Sequence, residues 1–148
     1  MKETRSKEAL IRLLEEEQAT CLVLDQGRIL YRSQEDRLKP LLDLVDHPDK
    51  LAGLTEGILI DRVIGRAAYV LAWRLGLHDL YTPLVSEMAL TFSASEEGDL
   101  QFPRIHYLEK VDHIRNERGD GWCPMEWAVR QAQSPAEALD ALFQKMNR

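Results

Sequence analysis

The chain has 148 residues, 45% of them apolar and 30% charged, with 25 acidic side chains against 19 Lys and Arg and a formal charge of −6. This composition excludes wholesale disorder and supplies the core of a single domain, expected to span residues 1–148. The longest apolar run, at 67–73, is far below the roughly 20 residues of a membrane span. The acidic balance is poor electrostatics for a phosphate backbone, so neither a membrane nor a nucleic acid is the expected partner.

The opening MKETRSKEAL has no apolar stretch after its charges, which reads as no signal peptide. With two cysteines, the chain is expected to be reduced and cytoplasmic. Residues 6–18 then predict a helix with Leu10, Ile11, Leu13 and Leu14 on its apolar side. Residues 20–25 and 28–31 predict two strands joined by Gln26–Gly27, because Gly accepts the positive φ of a tight hairpin. A short helix follows over 38–45 with Pro40 in its first turn, then a short strand over 57–60.

The periodicity predicts the longest helix over 61–75, capped by Asp61 and ended by Gly76, with Leu71 at the centre of its stripe. A strand is expected within 77–85, a helix from Ser86 to 92, a polar turn at Gly98 and a strand at 105–108. Charged, irregular chain is expected over 109–121. Helices are expected over 123–132, with Pro124 in the first turn, and from the capping box that begins at Ser134. Alternating strands and helices imply parallel crossovers, and the early hairpin implies an antiparallel edge. The fold class is α/β, a three-layer α/β/α domain with a mixed sheet.

Candidate chemistry gathers at the helix starts. Cys123 stands before Pro124, where the first turn of a helix leaves amides unpaired and favours a thiolate. Gly119 and Gly121 let the backbone approach a ligand, and Arg118 adds positive potential. A small buried filler is the competing role for this cysteine. Asp61 begins the helix that faces the carboxyl ends of the strands, where α/β sheets bind ligands, or it only caps that helix. Arg62 and Arg66 are four apart and would share a helical face suited to a phosphate or carboxylate. Ser86 and Glu87 mark a third helix start. Asn116, Trp122 and Glu126 complete the candidate ligand-binding set: Asn116 binds a polar group or caps its turn, and Trp122 stacks on a planar ligand or packs in the core. Cys21, inside an apolar strand, reads as structural. There is no CxxC, no HExxH and no spaced histidine set, so no metal and no cofactor are expected.

The stretches DRVIGRAA at 61–68, VSEMAL at 85–90, IRNERGDGWCPMEWAV at 114–129 and KPLLDL at 39–44 resemble a small prokaryotic family of unknown function. The resemblance implies a cytidine deaminase-like fold over roughly residues 20 to 130. That superfamily holds zinc with a histidine or cysteine at one helix start and two cysteines at the next, with a glutamate as proton shuttle. The corresponding starts here carry Asp61–Arg62–Val63 and Ser86–Glu87–Met88, so the resemblance implies the fold without the zinc ligands. Three functions stay open: a small-ligand-binding protein with Cys123 as nucleophile or sulfur carrier, a non-catalytic interaction or regulatory protein, and a divergent nucleoside or nucleotide deaminase. A homo-oligomer is equally open.

Overall fold

The computed structural model describes residues 5–95 and 102–148. Its first element, α1 (Lys7–Glu16), is capped by Ser6, which accepts from the Ala9 amide at 3.1 Å. Strands β1 (Cys21–Asp25) and β2 (Arg28–Ser33) form the expected hairpin. Gln26 and Gly27 both take positive φ, +53° and +81°, the pair of left-handed residues whose twist matches that of the strands. Helix α2 (Lys39–Asp46) carries Pro40 in its first turn, and a short 3-10 turn at Pro48–Leu51 leads into β3 (Gly57–Asp61).

The helix expected over 61–75 is corrected at its start. Asp61 is the last residue of β3, and Val63–Ile64 form a second short strand, β4. Helix α3 begins only at Arg66 and runs to Arg74. The β-branched Val63 and Ile64 pair with Leu84 and Val85 of the next strand. Sheet pairing thus overrides the helical period at these positions.

Strand β5 (Asp79–Ser86) passes directly into α4 (Glu87–Ser95). The predicted turn at Gly98 lies outside the described residues. Strand β6 (Arg104–Val111) is longer than expected, and α5 (Pro124–Val129) is shorter, at 6 residues. Helix α6 (Pro135–Lys145) starts at Ser134, which accepts from the Glu137 amide at 3.2 Å.

β1 lies antiparallel between β2 and β3, whereas β3, β5 and β6 are parallel. β3 and then β4 run along β5, which also pairs with β6. Alternation in the strands makes two cores. Leu22, Leu24, Ile58 and Ile60 pack on Leu10 and Leu14 of α1. Val23, Leu59 and Leu80 pack on the opposite side with Leu44, Tyr69, Leu71 and Leu142. The result is a three-layer α/β/α arrangement with a mixed sheet and an N-terminal hairpin. Among the described residues no helix is long and apolar enough to cross a membrane.

Candidate functional site

The start of α3 is closed from inside the protein. Gly65 precedes the helix with extended backbone and no side-chain cap of its own. Glu126 of α5 supplies the missing cap: its Oε1 accepts from the Arg66 amide at 2.9 Å and its Oε2 from the Ala67 amide at 2.7 Å. The carboxylate sits on the positive end of the helix, which stabilises it there. Glu126 is buried. Burial raises its pKa, while the two amides, Arg66 and the Ser86 hydroxyl pull it back.

Arg66 is the second half of this lock. It is buried, and its Nε donates to the Met88 carbonyl at 3.0 Å while its Nη1 donates to the Arg130 carbonyl at 3.1 Å. Its guanidinium lies 4.1 Å from the centre of the Phe92 ring. The expectation that Arg62 and Arg66 share a ligand-binding helical face is therefore corrected. Arg62 precedes the helix and is exposed, and Arg66 ties α3 to α4 and the end of α5.

Beside this lock a cleft of about 780 Å³ opens at the end of β3. Asp61, Arg62, Gly65, His113, Cys123 and Met125 are among its lining residues. Asp61 is 6% exposed and pairs in register with Cys21 of β1. No side chain among the described residues makes a hydrogen bond or ion pair with its carboxyl. Burial pushes that carboxyl up to about 7, against the pull of the Arg62 and Val63 amides and the Arg62 charge. Cys123 is 8% exposed on the cleft wall, its amide donating to the Ile114 carbonyl at 2.9 Å. Cys21 is fully buried, and burial together with the Asp61 charge holds its thiol well above the usual range.

The remaining sequence candidates are engaged by local partners. Asn116 closes its own turn: its Nδ2 donates to Asp120 Oδ1 at 2.9 Å, and its Oδ1 accepts from the Asp120 amide at 3.2 Å. Arg118 is exposed and faces Asp120 at 3.7 Å. Trp122 is stacked on His113 at 4.4 Å between centroids and meets the edge of Trp127 at 5.5 Å. Ser86 caps α4 through the Ala89 amide at 3.3 Å, and exposed Glu87 lies 3.5 Å from Lys110. The fold brings Asp61, Arg62, Cys123 and Glu126 together at one cleft; Ser86, Glu87, Asn116, Arg118 and Trp122 are not among its lining residues. Arg37 and His113 also line it; from the sequence His113 is only a neighbour of Cys123 with no assignable role, and Arg37 is not singled out. Arg37 lies just before the N-cap of α2 and His113 just after β6, and no local pattern ties either to the cleft.

A zinc ion of the deaminase kind does not fit these helix starts. No imidazole or thiol stands at the start of α3 or α4, and the α3 amides are already held by Glu126. Among the described residues no cluster of His, Cys, Asp and Glu could hold a metal ion.

The family model described as TM1506, a domain of unknown function (DUF1893), matches residues 9–146. Among solved structures, the chain is similar to the crystal structure of a DUF1893 family protein from Thermotoga maritima. The TM-score is 0.80 at 21% identity, over 98% of this chain and 92% of that one. Similarity at that identity speaks for the fold alone. No curated protein matches.

Proposed function

The chain belongs to the DUF1893 family, and from that premise we propose that it is a small-ligand-binding protein of cytidine deaminase-like fold, without zinc-dependent deamination. The observation that carries this reading is Asp61, a buried carboxyl on the wall of a cleft with no side-chain partner among the described residues. A buried carboxyl that only backbone amides and a neighbouring exposed arginine offset costs stability, and such groups are concentrated at functional sites. A carboxyl titrating near neutrality is matched to hydrogen bonding or proton transfer with a bound molecule. Cys123 shares the cleft wall and is its candidate nucleophile or sulfur carrier.

The deaminase-like assignment is supported by the antiparallel hairpin followed by parallel β3, β5 and β6. It is also supported by α3 and α4, which leave the carboxyl ends of β4 and β5. The first two amides of α3 are occupied by Glu126, which favours a ligand held by side chains rather than by the α3 terminus.

A fragment screen read by amide chemical shifts on the whole chain tests the proposal. Binders should move resonances of 61–68, 111–115 and 123–126 together. Shifts confined to the sheet edges or to α1 would overturn it and put the interaction-protein reading first.

A further inference from the structure

We propose that the cleft takes a small organic cation, an amine or amidine on an apolar body, with its charged end against Asp61. This inference rests on the ligand-cleft reading above. The body of the site is apolar: Leu38, Ala68, Leu84 and Met125 line it. Its charged groups are mostly committed to the protein itself. Arg37 faces Glu117 at 3.6 Å and donates to the Arg115 carbonyl at 3.2 Å. Arg115 donates to the Gly119 carbonyl at 3.4 Å. Glu126 is held by the α3 amides, and His113 is stacked on Trp122 and lies 3.5 Å from Asp112. Asp36 and Asp112 add negative charge at the lining.

Asp61 differs from all of these. Of the groups that face it, Arg62 is exposed and follows it in the chain, and Cys21 across the strand pair is a thiol held in its neutral form. Among the described residues no cation is paired with the carboxyl. An anionic ligand would find the first two amides of α3 already taken by Glu126 and no buried cation among the lining residues. A cation would find a buried carboxylate, and a charge-assisted hydrogen bond out of water is among the strongest contacts a small ligand makes. The Coulombic gain needs Asp61 ionised, so binding should strengthen as pH rises through its titration.

The test uses benzamidine against benzamide and benzoate, which share its ring and differ in charge. Each is titrated into the whole chain and followed by amide shifts at pH 6 and pH 8. Benzamidine should bind about tenfold more tightly than either of the others. It should also bind about tenfold more tightly at pH 8 than at pH 6, the ratio of ionised fractions for a group titrating at about 7. Asp61→Asn should remove both preferences. The pH comparison on the unaltered chain decides the same question if that variant does not fold. Benzamide or benzoate binding the cleft as well as benzamidine would overturn the charge inference while leaving the ligand cleft standing. Silence of every cleft resonance with all three probes would overturn both. Benzamidine binding equally at the two pH values would remove Asp61 as the contact and overturn the proposal.

Discussion

A Cβ built on Gly65 would lie 2.4 Å from Oε1 of Glu126. The two residues are thus one device: the absent side chain at 65 makes room for the carboxylate that caps α3 from 60 positions away. Gly65→Ala should force the carboxylate off the helix and leave buried amides unpaired, at a cost of about 1–3 kcal/mol. Urea unfolding of Gly65→Ala, Glu126→Ala and the double variant measures the coupling. The double variant should fall short of the summed losses by about 0.5–3 kcal/mol. Losses that simply add would show that the two residues act separately.

Much of this architecture is legible from the chain. The hairpin is, because Gln26–Gly27 supplies its turn chemistry locally, and so is α6, because Ser134 and Glu137 sign its start. The start of α3 is not. Its cap comes from Glu126 rather than from the preceding residues, and a window of sequence cannot register a partner so far away. Asp61 reads from its neighbours as a helix cap or a ligand group. The structure moves it to the end of β3 and places it on the cleft wall. Arg66 misleads for the same reason as the α3 start: its spacing from Arg62 suggests a shared face, while its carbonyl partners lie on α4 and beyond α5.

The packing of α3 carries a direct expectation. Leu71 is fully buried among α3, the sheet and its neighbouring helices. Leu71→Ala should cost roughly 2–5 kcal/mol through lost transfer energy and a residual cavity. Denaturant unfolding at unchanged m-value measures it. A loss under about 0.5 kcal/mol would place the stripe elsewhere.

Asp61 makes stability depend on pH with a sign opposite to that of a salt-bridged carboxylate. Its ordinary value is 3.8, and in the fold it is pushed up to about 7. Between those values the folded chain keeps a proton that the unfolded chain has released, so stability falls as pH rises across the window. Glu126 is also raised and adds a slope of the same sign. The stability of Asp61→Asn minus that of the parent chain isolates Asp61. This difference should grow between pH 4 and pH 8, by up to about 4 kcal/mol. A difference independent of pH would mean that Asp61 is not held protonated by the fold.

At the acid end the sign reverses. Asp25 accepts from the Thr55 and Glu56 amides, each at 3.0 Å, and these bonds lower its pKa against the opposing effect of burial. Its contribution is present above the ordinary carboxylate range and is lost as pH falls through its folded value. Asp25→Ala should cost about 1–3 kcal/mol at pH 7 by leaving those amides unpaired, and less at pH 2. Paired unfolding curves at the two pH values decide it: an equal cost at both would assign the loss to packing.

The two cysteines test whether the cleft wall is chemically open. Cys21 is fully buried with its thiol held protonated by burial and by the charge of Asp61, so it should react with iodoacetamide only when the chain unfolds. Cys123 keeps 8% of its surface, lines the cleft, and follows a loop whose backbone is fixed by the Arg115–Trp122 bridge. It should be modified in the native chain faster than Cys21 by at least about tenfold, because attack requires both access and a thiolate. Peptide mass spectrometry at short times separates the two sites. A cation occupying the cleft should slow the reaction at Cys123 and leave Cys21 unchanged. Equal rates at the two cysteines in the folded chain would show that Cys123 is packing, and the nucleophile and sulfur-carrier roles would fall with it. The ligand role of Asp61 would survive that result, because its test depends on the charge of the probe and not on the thiol.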